Sequence, residues 1–312
     1  MRFVFRNALL ALCASLSLTC AAAAPSAPVE ITTSFSILGD FIRQVGGTRV
    51  AVRVLVGPNE DAHAFQPRPS DARAIASSTL VVANGLGFDD WIVRLAKSAG
   101  FRGTTLIASK GVRTLNMATA DTHGHGDALD GEAGGIDPHA WQDVANAQRY
   151  VANIADALIA ADPAGAGTYR ANAERYAGQL KALDAEIRAA LGGLPAERRR
   201  VVSSHDAFGY FARAYDIQFL SAVGVSNNAE PTAQGVARLI RQIRNEKVPA
   251  VFIENVADPR LIERIRLESG ARIGGTLFSD ALSAADGLAP DYLGLMRHNL
   301  ARLLDALAPA RP

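Results

Sequence analysis

The sequence predicts an α/β protein made of two lobes of parallel β-sheet flanked by helices and joined by one long rigid linker helix. Three observations lead there. Short β-branched runs alternate with amphipathic helical stretches, a pattern that demands parallel strands with helices on both faces. One uninterrupted apolar stripe runs along residues 166–191. And 312 residues, 49% hydrophobic and 20% charged, suit a soluble globular chain of about two domains.

Residues 1–23 read as a signal peptide. Arg2 and Arg6 precede an apolar run over 8–18, and a small-residue tract follows over 19–24. That run falls short of the roughly 20 residues of a membrane span. Cleavage is expected close to Ala23, because Pro25 disfavours a cut after Ala24. The remaining chain holds 30 basic and 31 acidic residues, a net charge of −1. Such a balance excludes nucleic acid and charged membrane as partners. Both cysteines, Cys13 and Cys20, lie in the removed segment, so any metal site must be built from histidine and carboxylate. A lipid anchor would use Cys20, but Ser17, Leu18 and Thr19 make a poor lipoprotein signal. The expectation is therefore a soluble periplasmic protein without lipid at Cys20.

Strands are expected at 29–33, 50–56 and 80–83, then at 200–203, 217–220, 250–253 and 272–277. Helical patterns fall at 36–45, 69–77, 90–98 and 231–245. Residues 117–135 are rich in Gly, Asp and Ala and read as a loop. In 166–191, Tyr169, Ala173, Tyr176, Leu180, Leu183, Ile187 and Leu191 recur at steps of three and four, which places them on one helix face. Gly192, Gly193 and Pro195 end it. At 1.5 Å per residue, such a helix spans roughly 38 Å, enough to cross a lobe. The domains expected are an N-terminal metal-binding lobe at 24–165, a linker helix at 166–194 and a C-terminal metal-binding lobe at 195–312. The competing reading makes the helix an ordinary surface element of a single domain.

Six histidines carry most of the available chemistry. His63, in VGPNEDAHAFQP, follows the strand at 50–56. His205, in VVSSHDAFGYF, follows the strand at 200–203. His139, in DPHAWQDV, sits in a turn feeding the helix expected at 142–159, and Asp280, in GGTLFSD, follows the strand at 272–277. Ligands of open α/β sheets gather beyond the carboxyl ends of strands, so these four side chains could converge between lobes. They stand 76, 66 and 75 residues apart, with no short metal motif among them. Taken singly, each histidine also fits an ordinary hydrogen-bonded or surface role.

DAHAFQP, NGLGFDDWI, DPHAWQDV, SSHDAFGYFARAYDI and GGTLFSDAL, in this order across the chain, resemble the periplasmic zinc and manganese solute-binding proteins of bacterial ABC importers, cluster A-I type. The resemblance implies a metal held between two lobes by residues at the positions of His63, His139, His205 and Asp280. It also implies an inner-membrane ABC permease as partner, a possible periplasmic zinc metallochaperone, and a monomer. Manganese-binding relatives often place glutamate at the position of His205, so histidine there leans toward Zn²⁺ over Mn²⁺ as the transported ion. The chemistry agrees, since three imidazoles and one carboxylate suit tetrahedral zinc, whereas manganese favours more oxygen donors.

Acceptors for the ring nitrogens are expected among Asp61, Asp137, Asp206 and Glu254. Each of these acids also fits a solvated charge or a helix cap. His123 and His125, in THGHGD, resemble a short version of the His-rich loop of zinc-binding relatives and are candidates for auxiliary metal capture. An incidental polar linker explains them equally. His298, in the helix expected at 291–307, is assigned to the surface. Asn84-Gly-Leu-Gly-Phe88 lacks the lysine and full glycine spacing of a phosphate loop and reads as a turn.

An enzyme is not expected, because catalytic zinc keeps three protein ligands and an open position. Ser204 beside His205 cannot form a nucleophile elbow with its own neighbour. A receptor for an organic metal chelate would call for arginines and aromatics in the cleft, and aromatics make up 6% of the chain.

Overall fold

The computed structural model describes residues 27–117, 135–224 and 231–308. The segment read as a signal peptide, Cys20, His123 and His125 lie outside them.

The first half forms a parallel four-stranded sheet ordered β2-β1-β3-β4 from β1 (Val29–Phe35), β2 (Val50–Val56), β3 (Leu80–Ala83) and β4 (Thr104–Ile107). Between them run α1 (Ser36–Gly46), α2 (Pro69–Ala76) and α3 (Asp90–Ser98). Central β1 pairs with β2 on one side, Ile31 opposite Val52, and with β3 on the other, Ile31 opposite Leu80. The chain thus changes direction across the sheet beside β1, where doubly wound sheets open a crevice. α4 (Val144–Ala161) closes this half, capped by the Asp143 carboxylate on the Ala145 N–H.

The second half repeats the plan. β5 (Arg200–Ser203), β6 (Gln218–Ser221), β7 (Ala250–Glu254) and β8 (Arg272–Leu277) form a parallel sheet ordered β6-β5-β7-β8. It carries α6 (Gly209–Tyr215), α7 (Ala233–Asn245) and α8 (Pro259–Ser269), with α9 (Tyr292–Leu307) at the end. Among the described residues no helix is long and apolar enough to cross a membrane.

Between the two sheets lies α5 (Ala166–Gly192), whose buried stripe comprises Tyr169, Tyr176, Leu180, Leu183, Ile187 and Leu191. It packs against α1, α4, α6 and α9. One apolar core therefore runs from Ile31 and Phe41 through this stripe to Phe211 and Leu303. The Asp40 carboxylate of α1 ties three helices at that junction. It accepts the Tyr292 backbone N–H of α9 at 3.0 Å, the Tyr176 hydroxyl of α5 at 3.3 Å and the Gln44 amide at 3.0 Å.

The sequence pattern misses β4 and α8. The four residues of β4 are mostly exposed at a sheet edge, so they show no apolar run. His298 also departs from its surface assignment. It is half-buried, its Nε2 lies 2.9 Å from the Thr276 carbonyl of β8, and its ring packs edge-on to Phe278.

Candidate metal centre

Four loops at the carboxyl ends of the two sheets face each other across the interlobe cleft. His63 stands in the loop after β2, and His139 in the segment leading to α4. His205 directly follows β5, and Asp280 follows β8. These side chains, expected from the sequence as one group, do meet: each offers an atom, and the four atoms lie within 4.8 Å of one another.

His63 Nε2 lies 3.2 Å from His139 Nε2 and 3.4 Å from Asp280 Oδ2. His205 Nε2 is 3.2 Å from Asp280 Oδ2, and His139 Nε2 is 3.7 Å from Asp280 Oδ1. Ligand bonds of 2.0–2.1 Å in a tetrahedron put neighbouring donors about 3.3–3.4 Å apart, so the spacing suits a divalent ion at the centre. The side chains of His139, His205 and Asp280 are fully buried, while His63 retains 8% exposure. Phe88 lies edge-on to His63, and Trp141 to His139, making an apolar wall on the N-terminal side.

Acids orient the ligands. Asp137 Oδ1 accepts the His139 backbone N–H at 2.9 Å and sits 2.8 Å from its Nδ1. Glu254 Oε1 accepts the His205 backbone N–H at 2.9 Å, while Oε2 lies 2.7 Å from Nδ1. In both cases Nε2 faces the other ligands, the orientation a metal site needs. Asp61 accepts the His63 backbone N–H at 2.8 Å. Asp206, the fourth acid expected here, stands in a turn whose N–H bonds the Gly224 carbonyl, and burial raises its carboxyl above the usual range.

Electrostatics bind the group together without a metal. Burial acts to lower the His205 pKa, yet the carboxylates of Glu254 and Asp280 outweigh it and hold the imidazole well above its ordinary value. Burial acts to raise Asp280, yet the charges of His205 and His139 and the close approach of the His205 and His63 rings keep it well below. Metal capture must therefore expel protons from this cluster.

Sequence reasoning missed the residues that hold these loops in place. Tyr210 of α6 reaches across the lobes, donating to the Asp137 carbonyl at 2.9 Å and accepting the Leu115 N–H at 3.0 Å. Gly209 precedes it because a Cβ there would meet the Asp137 carboxylate at 2.6 Å. Trp141 Nε1 and Gln142 Nε2 both donate to the Ser279 carbonyl, at 3.0 and 2.8 Å, beside Asp280. Asn84 donates to the Pro138 carbonyl at 3.0 Å, so the glycine-rich turn buttresses His139 rather than a phosphate. In that turn Gly85, Leu86 and Gly87 all have left-handed φ.

Two lobes with parallel sheets, a long connecting helix and a His₃Asp group in the cleft define a solute-binding receptor able to hold a divalent metal. The profile of the family described as "ZnuA: Zinc-uptake complex component A periplasmic" matches residues 31–306, and the chain belongs to that family. Its members are receptors of ABC importers acting outside the cytoplasm, not enzymes, and they work with a membrane permease.

Among relatives, the manganese-binding lipoprotein MntA of Halalkalibacterium halodurans is 32% identical over 90% of this chain and 89% of its own. The iron-binding protein YfeA of Yersinia pestis is 32% identical over 86% and 82%. Among solved structures, the periplasmic zinc-binding protein TroA from Treponema pallidum superimposes with a TM-score of 0.82 at 27% identity, covering 91% of this chain and all of that one. A manganese-bound periplasmic metal-binding protein from Candidatus Liberibacter asiaticus gives 0.78 at 27% identity, over 89% and 98%. These names also correct the reading of Cys20. MntA, and PsaA of Streptococcus pneumoniae, are named lipoproteins, which counts against the expectation that lipid anchoring at Cys20 is unlikely.

Proposed function

We propose that the protein is a periplasmic high-affinity zinc receptor that delivers Zn²⁺ to an ABC permease for import, with His63, His139, His205 and Asp280 as the four ligands. The observation that supports this reading is the donor set, three imidazoles and one carboxylate whose ligand atoms lie within 4.8 Å of one another, the number and kinds of donor that tetrahedral zinc takes. Four protein ligands leave no open position, which suits carriage rather than hydrolysis. The residues fall into a signal peptide at 1–23, an N-terminal metal-binding lobe at 24–165, a linker at 166–194 and a C-terminal metal-binding lobe at 195–312. His123 and His125 would add a weak capture site, a zinc metallochaperone would be a second partner, and the receptor would act as a monomer.

Manganese is the second reading, favoured by the manganese named for MntA and by the manganese-bound structural relative. Native mass spectrometry of metal-free protein offered equal zinc and manganese separates the two. One tightly held zinc per chain is the expected result, and preferential manganese loading would replace the zinc reading. Deleting residues 121–127 should leave that tight site intact.

A further inference from the structure

Resting on the reading of the four ligands as a metal site, we infer that Asn255 and Asn59 form a latch across the mouth of the cleft that sets the rate of metal release. Asn255 follows Glu254 at the end of β7 and brackets the Asp280 ligand. Its Oδ1 accepts the Ser279 N–H at 3.4 Å, and its Nδ2 donates to the Ala281 carbonyl at 3.1 Å. The same Nδ2 donates across the cleft to Asn59 Oδ1, also at 3.1 Å, on the solvent side.

Asn59 belongs to the loop that carries His63, the most exposed ligand. It is the third residue of the turn Gly57-Pro58-Asn59-Glu60, closed by the Glu60 N–H on the Gly57 carbonyl and by the Gly57 N–H on the Glu60 carboxylate at 2.7 Å. Proline second and asparagine third, with φ of 56° at Asn59, is the pattern of a turn that needs a left-handed residue there. That geometry aims the Asn59 N–H at the Leu282 carbonyl, 2.9 Å away in the other lobe. Two bonds from one turn thus fasten the His63 loop to both the Asp280 loop, through Leu282, and Asn255. Asn255 is a positioning residue for Asp280, and Asn59 for His63. Withdrawal of His63, the ligand nearest solvent, requires these bonds to break.

The two roles separate by substitution. Asn59→Gly keeps the left-handed backbone and its N–H while deleting the amide bond. Asn255→Ala removes that bond together with the bracket around Asp280. In metal-free protein, the residue 59 amide should exchange with solvent about 3- to 10-fold faster in both variants than in wild type, the effect of one exposed hydrogen bond. In loaded protein, zinc transfer to an excess of chelator should accelerate by a similar factor in Asn59→Gly. Its cobalt spectrum should remain that of wild type, because the ligands are untouched. Asn255→Ala should release faster still and change the cobalt spectrum, because Asp280 loses its bracket.

Wild-type exchange at residue 59 in both variants overturns the latch whatever the metal does. Faster exchange with unchanged zinc release overturns its control of release. A spectrum altered in Asn59→Gly overturns the division of roles. Failure of wild type to hold zinc or cobalt at all instead rejects the metal-site reading, and the exchange experiment still reports on the latch.

Discussion

Asp137 engages His139 twice through one oxygen, meeting the backbone N–H at 2.9 Å and the ring Nδ1 at 2.8 Å. Glu254 does the same for His205 with two oxygens from 49 residues away. Together the backbone and ring contacts place each imidazole with Nε2 toward the other ligands.

Glu254→Gln should therefore lower metal affinity about 10- to 100-fold, the usual effect of losing an acid behind a ligating imidazole. Competition against a chromophoric chelator measures it. Unchanged affinity would show that backbone placement alone positions His205.

Replacing His205 by glutamate should shift selectivity. A neutral nitrogen donor becomes an anionic oxygen donor that can bind through two atoms, so manganese gains on zinc even if zinc stays the tighter ligand in absolute terms. The ratio of the two affinities at one pH is the quantity to compare. A constant ratio in folded variant protein would place His205 outside the ligand set.

Asp89 is fully buried beneath the glycine-rich turn, accepting the Ser34 hydroxyl and the N–H groups of Asn84 and Gly85, and burial pushes its carboxyl up to about 6. The folded chain then holds this proton more tightly than the unfolded one. Its contribution to stability is full below the ordinary value of 3.8 and is lost as pH rises through about 6. Asn at this position cannot titrate. Between about pH 4 and pH 7 the stability of Asp89→Asn should improve relative to wild type by up to about 3 kcal/mol. Urea unfolding of both metal-free proteins tests this, and parallel pH profiles would contradict it.

Asp40→Ala should destabilise the protein by about 1–3 kcal/mol, because the Tyr292 N–H and the Tyr176 hydroxyl lose a buried acceptor. A lowered denaturant midpoint is the expected readout. No change would mean that the tie at the α1, α5 and α9 junction is energetically neutral.

Opening should be small. With α5 packed along its length against helices of both halves, the lobes lack a flexible pivot. X-ray scattering curves of metal-free and zinc-loaded protein should superimpose at low angle, and marked compaction on loading would contradict this.

Much of this architecture was legible because its signals are local. The apolar period of α5, the β-branched runs and the Asp-x-His pattern at Asp61-His63 and Asp137-His139 all lie within a few residues. What escaped is set by distant pairing. Nothing near Asp40 announces that its donor partner is the N–H of Tyr292, 252 residues on. Likewise Asn255 reads as an ordinary strand-end residue until the fold sets it beside Asn59. β4 is too short and exposed for its period to register.

One apolar core passes through α5 into both halves. The loss of freedom in bringing two distant pairs of donors together is thus met once, when the chain folds, and is not charged again to each ion that arrives. The grip on the cargo is an inheritance of folding, so a core substitution far from the cleft, such as Leu183→Ala, can loosen that grip without touching a single ligand.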